Sequence, residues 1–158
     1  MTIDTEEEAR GAVEPITTTR YTEAQIQAIA KDDNMICHYF KMRDRFGDNG
    51  LISIVILKKQ KPADLAIDTW VMSCRVLSRS MEEFIHNEMV SIALSLGCKR
   101  LLGTYVPTAK NKLVASLYKK LGYSLMGENN GTTYWELKIN KDTPLLETYI
   151  QRIDTYRT

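Results

Sequence analysis

Six consecutive residues, Arg75-Val76-Leu77-Ser78-Arg79-Ser80, carry a spacing that can hold an anion. They lie between a β-rich apolar run, Leu65 to Val76, and a strongly patterned helix that begins near Met81. The first four N–H groups of a helix have no internal partners, and the dipole there is positive. A small-residue turn feeding such a helix suits phosphate or pyrophosphate, with Arg75 or Arg79 adding charge-assisted bonds. The same residues also fit an ordinary helix start. Ser80 as N-cap and Glu83 three residues later have the spacing of a capping box.

Asn111 and Tyr118 form the second constellation, followed by Leu121-Gly122-Tyr123. Seven residues are two helical turns, so an amide and a phenol would share one face and could line a groove. A phenol keeps its proton at neutral pH and can give it to a departing thiolate. The competing reading makes Tyr118 a core residue and Asn111 first-turn decoration. Cys74 lies beside Arg75 and ahead of a helix start. That setting favours thiolate and a transient acyl-enzyme, although most free cysteines are small buried hydrophobes. Asp68 is the carboxylate in position to deprotonate an amine acceptor through water. By strand alternation it shares a face with Trp70, Met72 and Cys74.

These residues sit in a chain of 158 residues, enough for one domain with a real core. Apolar residues make up 44% and charged residues 26%, which is ordinary for a globular protein. The net charge of +1 points to neither nucleic acid nor a membrane surface. The charge is uneven, because residues 1–14 hold five carboxylates against Arg10 alone, a net of −4. Three cysteines with no Cys-x-x-Cys suggest neither a disulfide framework nor a metal site, and a reducing cytoplasm is the plain expectation.

Patterning supplies the frame. Residues 1–15 read as a flexible acidic segment, and 16–158 as one folded domain. Ile16 to Tyr21 reads as a first strand, and Thr22 as the cap of a short helix to about Lys31. Ile36 to Phe46, Leu51 to Lys59 and Leu65 to Val76 read as an antiparallel meander. Its first turn falls at Gly47-Asp48-Asn49-Gly50. Met81 to Leu96 is a helix stopped by Gly97, and Lys99 to Val106 a strand. A helix runs from a Thr108 cap to Leu121. A hairpin closes around Asn129-Asn130-Gly131, and Leu145 to Tyr156 reads as a last helix. A helix between strands three and four makes that pair parallel. The expected class is therefore α/β, layered α+β: a mixed, largely antiparallel sheet of six to seven strands with helices on both faces.

The loop at 75–80, Asn-x-x-Val-x-x-x-Tyr at 111–118 and Leu121-Gly122-Tyr123 together resemble the GNAT acyltransferases. The family's two loop glycines stand here as Ser78 and Ser80. Arg43 to Leu51, Ser73 to Leu77 and Tyr105 to Asn111 are more closely similar to the C-terminal GNAT-like half of FkbH-like proteins. Those proteins load a glyceryl unit onto an acyl carrier protein in polyketide pathways, with a HAD-type phosphatase half that has no counterpart here. The resemblance covers about Ile16 to Lys138. It implies a V-shaped cleft between Leu65–Val76 and Lys99–Val106, with a pantetheine arm bonded along the strand near Cys74 to Leu77. It further implies that Tyr118 is the general acid, that Asn111 contacts the arm, and that Arg75, Val76, Leu77, Ser78, Arg79 and Ser80 hold the pyrophosphate. The donor would be acetyl-CoA, another acyl-CoA or a carrier protein's phosphopantetheine, without a metal. The acceptor would be a small-molecule amine or a carrier thiol. The alternative is a non-catalytic module that holds a carrier arm for a separate HAD-type enzyme. Self-association as a homodimer is left open by the sequence.

Overall fold

A computed structural model describes residues 13–15, 22–73, 80–109 and 111–152. The elements in chain order are β1 (Val13–Pro15), α1 (Glu23–Lys31), β2 (Met35–Asp44), β3 (Gly47–Gln60), β4 (Asp64–Ser73), α2 (Met81–Ser95), β5 (Arg100–Tyr105), a 3-10 turn (Lys112–Val114), α3 (Leu117–Lys120), β6 (Ser124–Asn129) and β7 (Thr132–Lys138). They form one seven-stranded sheet ordered β2-β3-β4-β5-β7-β6, with β1 added to β4. Every pair is antiparallel except β4 with β5. The expected mixed, largely antiparallel sheet is therefore observed.

Local chemistry accounts for several of these elements. Thr22 caps α1 by accepting from the Gln25 N–H, and Gln25 accepts from the Thr22 N–H in return. Met81, Ile85, Met89, Val90 and Ala93 of α2 are buried against the sheet. Gly97 ends that segment at φ 73°, a conformation that favours glycine. Asn130 and Gly131, at φ 51° and 86°, give the β6–β7 hairpin a two-residue turn whose twist matches the strands.

Five expectations are corrected. Val13–Pro15 belongs to the sheet, although the sequence reading set residues 1–15 aside as flexible. The first hairpin turns at Arg45-Phe46, with Asp44 paired to Gly47, so Asn49-Gly50 lies inside β3. The Asp44 carboxylate holds that turn, accepting from the Phe46 N–H at 2.8 Å and from Asn49 Nδ2 at 3.1 Å. The helix expected from Thr108 to Leu121 is broken into a 3-10 turn and four residues of α3. Ser80 has φ 58° and makes no capping bond, so the box with Glu83 does not form. Finally, residues 145–152 are not helical. Leu146, Thr148 and Ile150 are half-buried while Leu145, Glu147 and Tyr149 are exposed, and a period of two marks extended chain. The strand expected at Ile16 to Tyr21 lies outside the described residues.

Candidate functional site

The site begins with a fault in β4. Ile56 of β3 pairs with Thr69 but Leu57 pairs with Ile67, so Asp68 is an inserted residue, a β-bulge. Bulges bend the strand that carries them and can end its pairing on the far side. On that far edge β4 pairs with β5 only at Asp64, Leu65 and Ala66, opposite Arg100, Leu101 and Leu102. Beyond those three residues the strands part. Val71 to Ser73 and Gly103 to Tyr105 are not paired with each other, and a wedge opens from a closed apex.

The apex is clamped. Arg100 donates from Nε and Nη2 to both Asp64 oxygens at 2.9 and 2.7 Å, and from Nη1 to Glu136 at 2.8 Å. One guanidinium thus ties β4, β5 and β7 together with the fork geometry suited to carboxylates. Its hydrogen bonds hold the Asp64 carboxyl below the usual carboxylate range. The Lys99 N–H adds a bond to the Ala63 carbonyl at 2.7 Å.

Tyr118 lies at the root of the wedge. Its ring contacts Trp70 of β4 (6.4 Å between centroids), Trp135 of β7 (6.4 Å) and Tyr123 (5.1 Å). A Cβ placed on Gly103 of β5 would stand 2.4 Å from Tyr118 Cε1, so the ring lies directly on that strand. Gly103→Ala is accordingly expected to displace the ring and to cost about 1–3 kcal/mol, read from urea unfolding. The Tyr118 side chain is buried, and its hydroxyl has no hydrogen-bond partner among the described residues. Burial pushes its pKa above the ordinary phenol range, so it holds its proton firmly.

His86 of α2 extends this cluster. It is buried, 5.4 Å from the Tyr123 ring, and its Nδ1 shares a hydrogen bond with the Tyr123 hydroxyl at 3.3 Å. Burial lowers its pKa to about 4. In the unfolded chain His86 takes up a proton below about pH 6.5, but the folded chain refuses it until about pH 4. Stability is therefore full above pH 6.5 and is lost on acidification through that window, at up to about 1.4 kcal/mol per pH unit. Urea midpoints at pH 7 and 5 check this, and His86→Gln should flatten the difference. Using one variant separates His86 from His38, which burial also lowers.

Asn111 has a different task from the one its spacing suggested. It is fully buried, and its Oδ1 accepts from the Thr108 N–H at 2.7 Å and from the Tyr105 hydroxyl at 3.2 Å. Its Nδ2 donates to the Val106 carbonyl at 2.8 Å. The amide staples the turn after β5, and the continuous helix that would have set it on one face with Tyr118 does not form. Asp68 is also corrected. Leu57 pairs with Ile67, Val55 with Trp70 and Ser53 with Met72, so Ile67, Trp70 and Met72 share one face. The bulge shifts the alternation by one and leaves Asp68 off the face of Trp70 and Met72. Its carboxylate accepts from the Thr69 hydroxyl at 3.0 Å.

Cys74, Arg75, Val76, Leu77, Ser78 and Arg79 lie outside the described residues. Ser80 is described, and its left-handed backbone is the conformation for which a glycine is normally chosen. Its hydroxyl is hydrogen-bonded to the Thr148 hydroxyl at 3.0 Å and accepts from the Tyr149 N–H at 3.1 Å. Sequence reasoning missed this C-terminal strap, and it missed Trp70, Gly103 and Trp135 as the walls around Tyr118. Adjacent polar residues, Asp68-Thr69 inside an apolar strand, were the available sign of the bulge.

The wedge beside the parallel pair is a known architecture. The chain superposes on the GNAT domain of S. lividans PAT with a TM-score of 0.60 at 14% identity, covering 76% of this chain and 70% of that one. It superposes on an IAA acetyltransferase from Bacillus cereus with a TM-score of 0.57 at 13% identity, over 80% and 98%. A GNAT family acetyltransferase from Elizabethkingia anophelis, solved with acetyl-CoA bound, gives 0.56 at 11%, over 80% and 97%. This is the GNAT fold. Sequence comparison adds nothing to it, since no family model and no curated protein matches. Within the GNAT fold of this chain no helix among the described residues is long and apolar enough to cross a membrane. No group of three or more His, Cys, Asp or Glu side chains among them could hold a metal ion.

Proposed function

We propose that this chain is an acyltransferase that takes an acyl group from a pantetheine thioester, and that the wedge between β4 and β5 receives the thioester. The observation that carries the reading is the buried Tyr118 hydroxyl, which has no hydrogen-bond partner among the described residues, beside the point where β4 and β5 cease to pair. Leaving a buried hydroxyl without a partner costs about 1–3 kcal/mol, a cost that makes sense where a ligand atom completes the bond. An extended arm bearing amides suits the outer edge of β4 that β5 leaves after Ala66, where the described pairing is the three residues of β1.

In the proposed reaction a neutral amine, or a carrier thiol, attacks the thioester carbonyl carbon. The new bond forms to carbon, the carbon–sulfur bond breaks, Tyr118 gives its proton to the departing sulfur, and the proton lost by the attacking nitrogen or sulfur returns Tyr118 to the phenol. Main-chain N–H groups on the outer edge of β4 polarise the carbonyl. Asp68 is not assigned the base, since it lies off the Trp70 face. Cys74 stays a candidate for the acyl-resting role and Arg75 to Arg79 for pyrophosphate binding, with Ser80 able to contribute through its main chain, since its hydroxyl is bonded to Thr148 and Tyr149. The test is thiol release from acetyl-CoA in the presence of a panel of amines. Amine-dependent release supports the reading, and its absence with every amine tried counts against it.

One observation favours a second reading. The Ser80 hydroxyl is engaged by residues 148 and 149, so it is not free to meet a pyrophosphate. A carrier protein's arm lacks the second phosphate and the adenosine of coenzyme A and would need less of this loop. In that reading the chain holds a carrier arm, as the FkbH-like resemblance implies, and works beside a HAD-type enzyme. Equal affinity for coenzyme A and pantetheine would favour it.

A further inference from the structure

β1 lies where the reading above needs open space. Met72 of β4 pairs with Ser53 of β3 and also with Glu14 of β1. One strand residue cannot face two partners on one edge, so β1 occupies the edge of β4 opposite β3. That is the edge β5 holds at Asp64 to Ala66 and then leaves. The register Val13–Ser73, Glu14–Met72, Pro15–Val71 runs antiparallel, so the chain enters at the wide end and points toward the apex.

We propose that the N-terminal segment plugs the wedge: it pairs with the outer edge of β4 in place of a pantetheine arm and must leave before the arm can bind. The inference rests on the acyl-donor reading. Two features of the segment suit a releasable plug. Pro15 has no N–H, so it cannot donate to the ladder opposite Val71, and the described pairing is only three residues long. The preceding residues carry the net charge of −4, the same sign as the phosphates of coenzyme A. A plug present most of the time lowers apparent affinity by the fraction of molecules left open.

The experiment compares the full chain with a variant lacking residues 1–15 and with the full-length double variant Val13→Pro/Glu14→Pro, which weakens the ladder and keeps the rest. Binding of coenzyme A and of uncharged pantetheine is measured by calorimetry, with hydrogen exchange at Val71, Met72 and Ser73. The double variant decides the matter if the truncated chain fails to fold. The expected result is a gain of about five- to tenfold in affinity for both ligands, with faster exchange, before ligand is added, at whichever of those amides point to the β1 edge rather than to β3. Unchanged or weaker binding of both ligands overturns the plug while leaving the acyl-donor reading in place. A gain for coenzyme A alone also overturns it, because charge rather than edge pairing would then be responsible. If no form binds either ligand, the acyl-donor reading itself fails, and the plug with it.

Discussion

Tyr118→Phe is expected to remove most acyl transfer and yet leave the protein at least as stable as the parent. The two effects come from one oxygen. The hydroxyl is buried with no partner among the described residues, so deleting it relieves a desolvation cost of about 1–3 kcal/mol. The ring stays, and with it the contacts to Trp70, Tyr123 and Trp135. Loss of a positioned general acid lowers kcat by about 10²–10⁴. In the proposed reaction the group acts on the leaving sulfur rather than on binding, so KM for the donor should move little. A core tyrosine with no role in the reaction would show the stability gain without the rate loss. The two measurements needed are urea unfolding and steady-state kinetics with acetyl-CoA.

Asn111→Ala is expected to do the reverse, damaging the fold first. The substitution removes the side-chain partner of the Thr108 N–H and of the Val106 carbonyl in a half-buried turn, while the buried Tyr105 hydroxyl keeps its bond to the Asn111 main-chain carbonyl at 3.3 Å. Two half-buried polar groups losing a partner, with the fully buried amide removed beside them, should cost about 1–3 kcal/mol. Asn111→Asp keeps the accepting oxygens for Thr108 and Tyr105 but loses the donor to Val106, so it should fall between the two. Unfolding midpoints of the three proteins decide this. If Asn111→Ala leaves stability unchanged, the staple is wrongly described.

The parts of the fold that were legible in the sequence are those set by local rules. Met81, Ile85 and Met89 repeat at helical spacing and bury one face of α2. Thr22 with Gln25 and Asn130 with Gly131 carry their own geometry in their side chains or lack of them. Tyr118 could be named as a candidate from the Asn-x-x-Val-x-x-x-Tyr pattern ahead of Leu121-Gly122-Tyr123, and its place on an apolar stripe foretold its burial.

What could not be read depends on bonds and pairings that no residue pattern announces. Asn111 is tied to Val106 and Thr108 of its own turn and to Tyr105 of the preceding strand, and a helix continuing through it would have needed that amide elsewhere. The face of Asp68 turned on one inserted residue, visible only once β3 is laid beside β4. The C-terminal strap reads as helix from its composition. Tertiary bonds hold it extended, with Asn87 accepting from the Leu146 N–H and donating to the Leu146 carbonyl, both at 2.9 Å. Arg152 adds an ion pair to Glu88. The pairing of β1 has no local signal either, since three residues ending in proline carry no strand pattern.

The central claim is that the opening between β4 and β5 receives a pantetheine arm with its sulfur facing Tyr118. A crystal structure of the protein grown with coenzyme A tests it most directly. The expected result is an arm lying between Val71–Ser73 and Gly103–Tyr105, its amides bonded to the β4 edge and its sulfur within hydrogen-bonding reach of the Tyr118 hydroxyl. Coenzyme A bound elsewhere on the molecule, or a wedge still filled by the chain itself at saturating ligand, would contradict it.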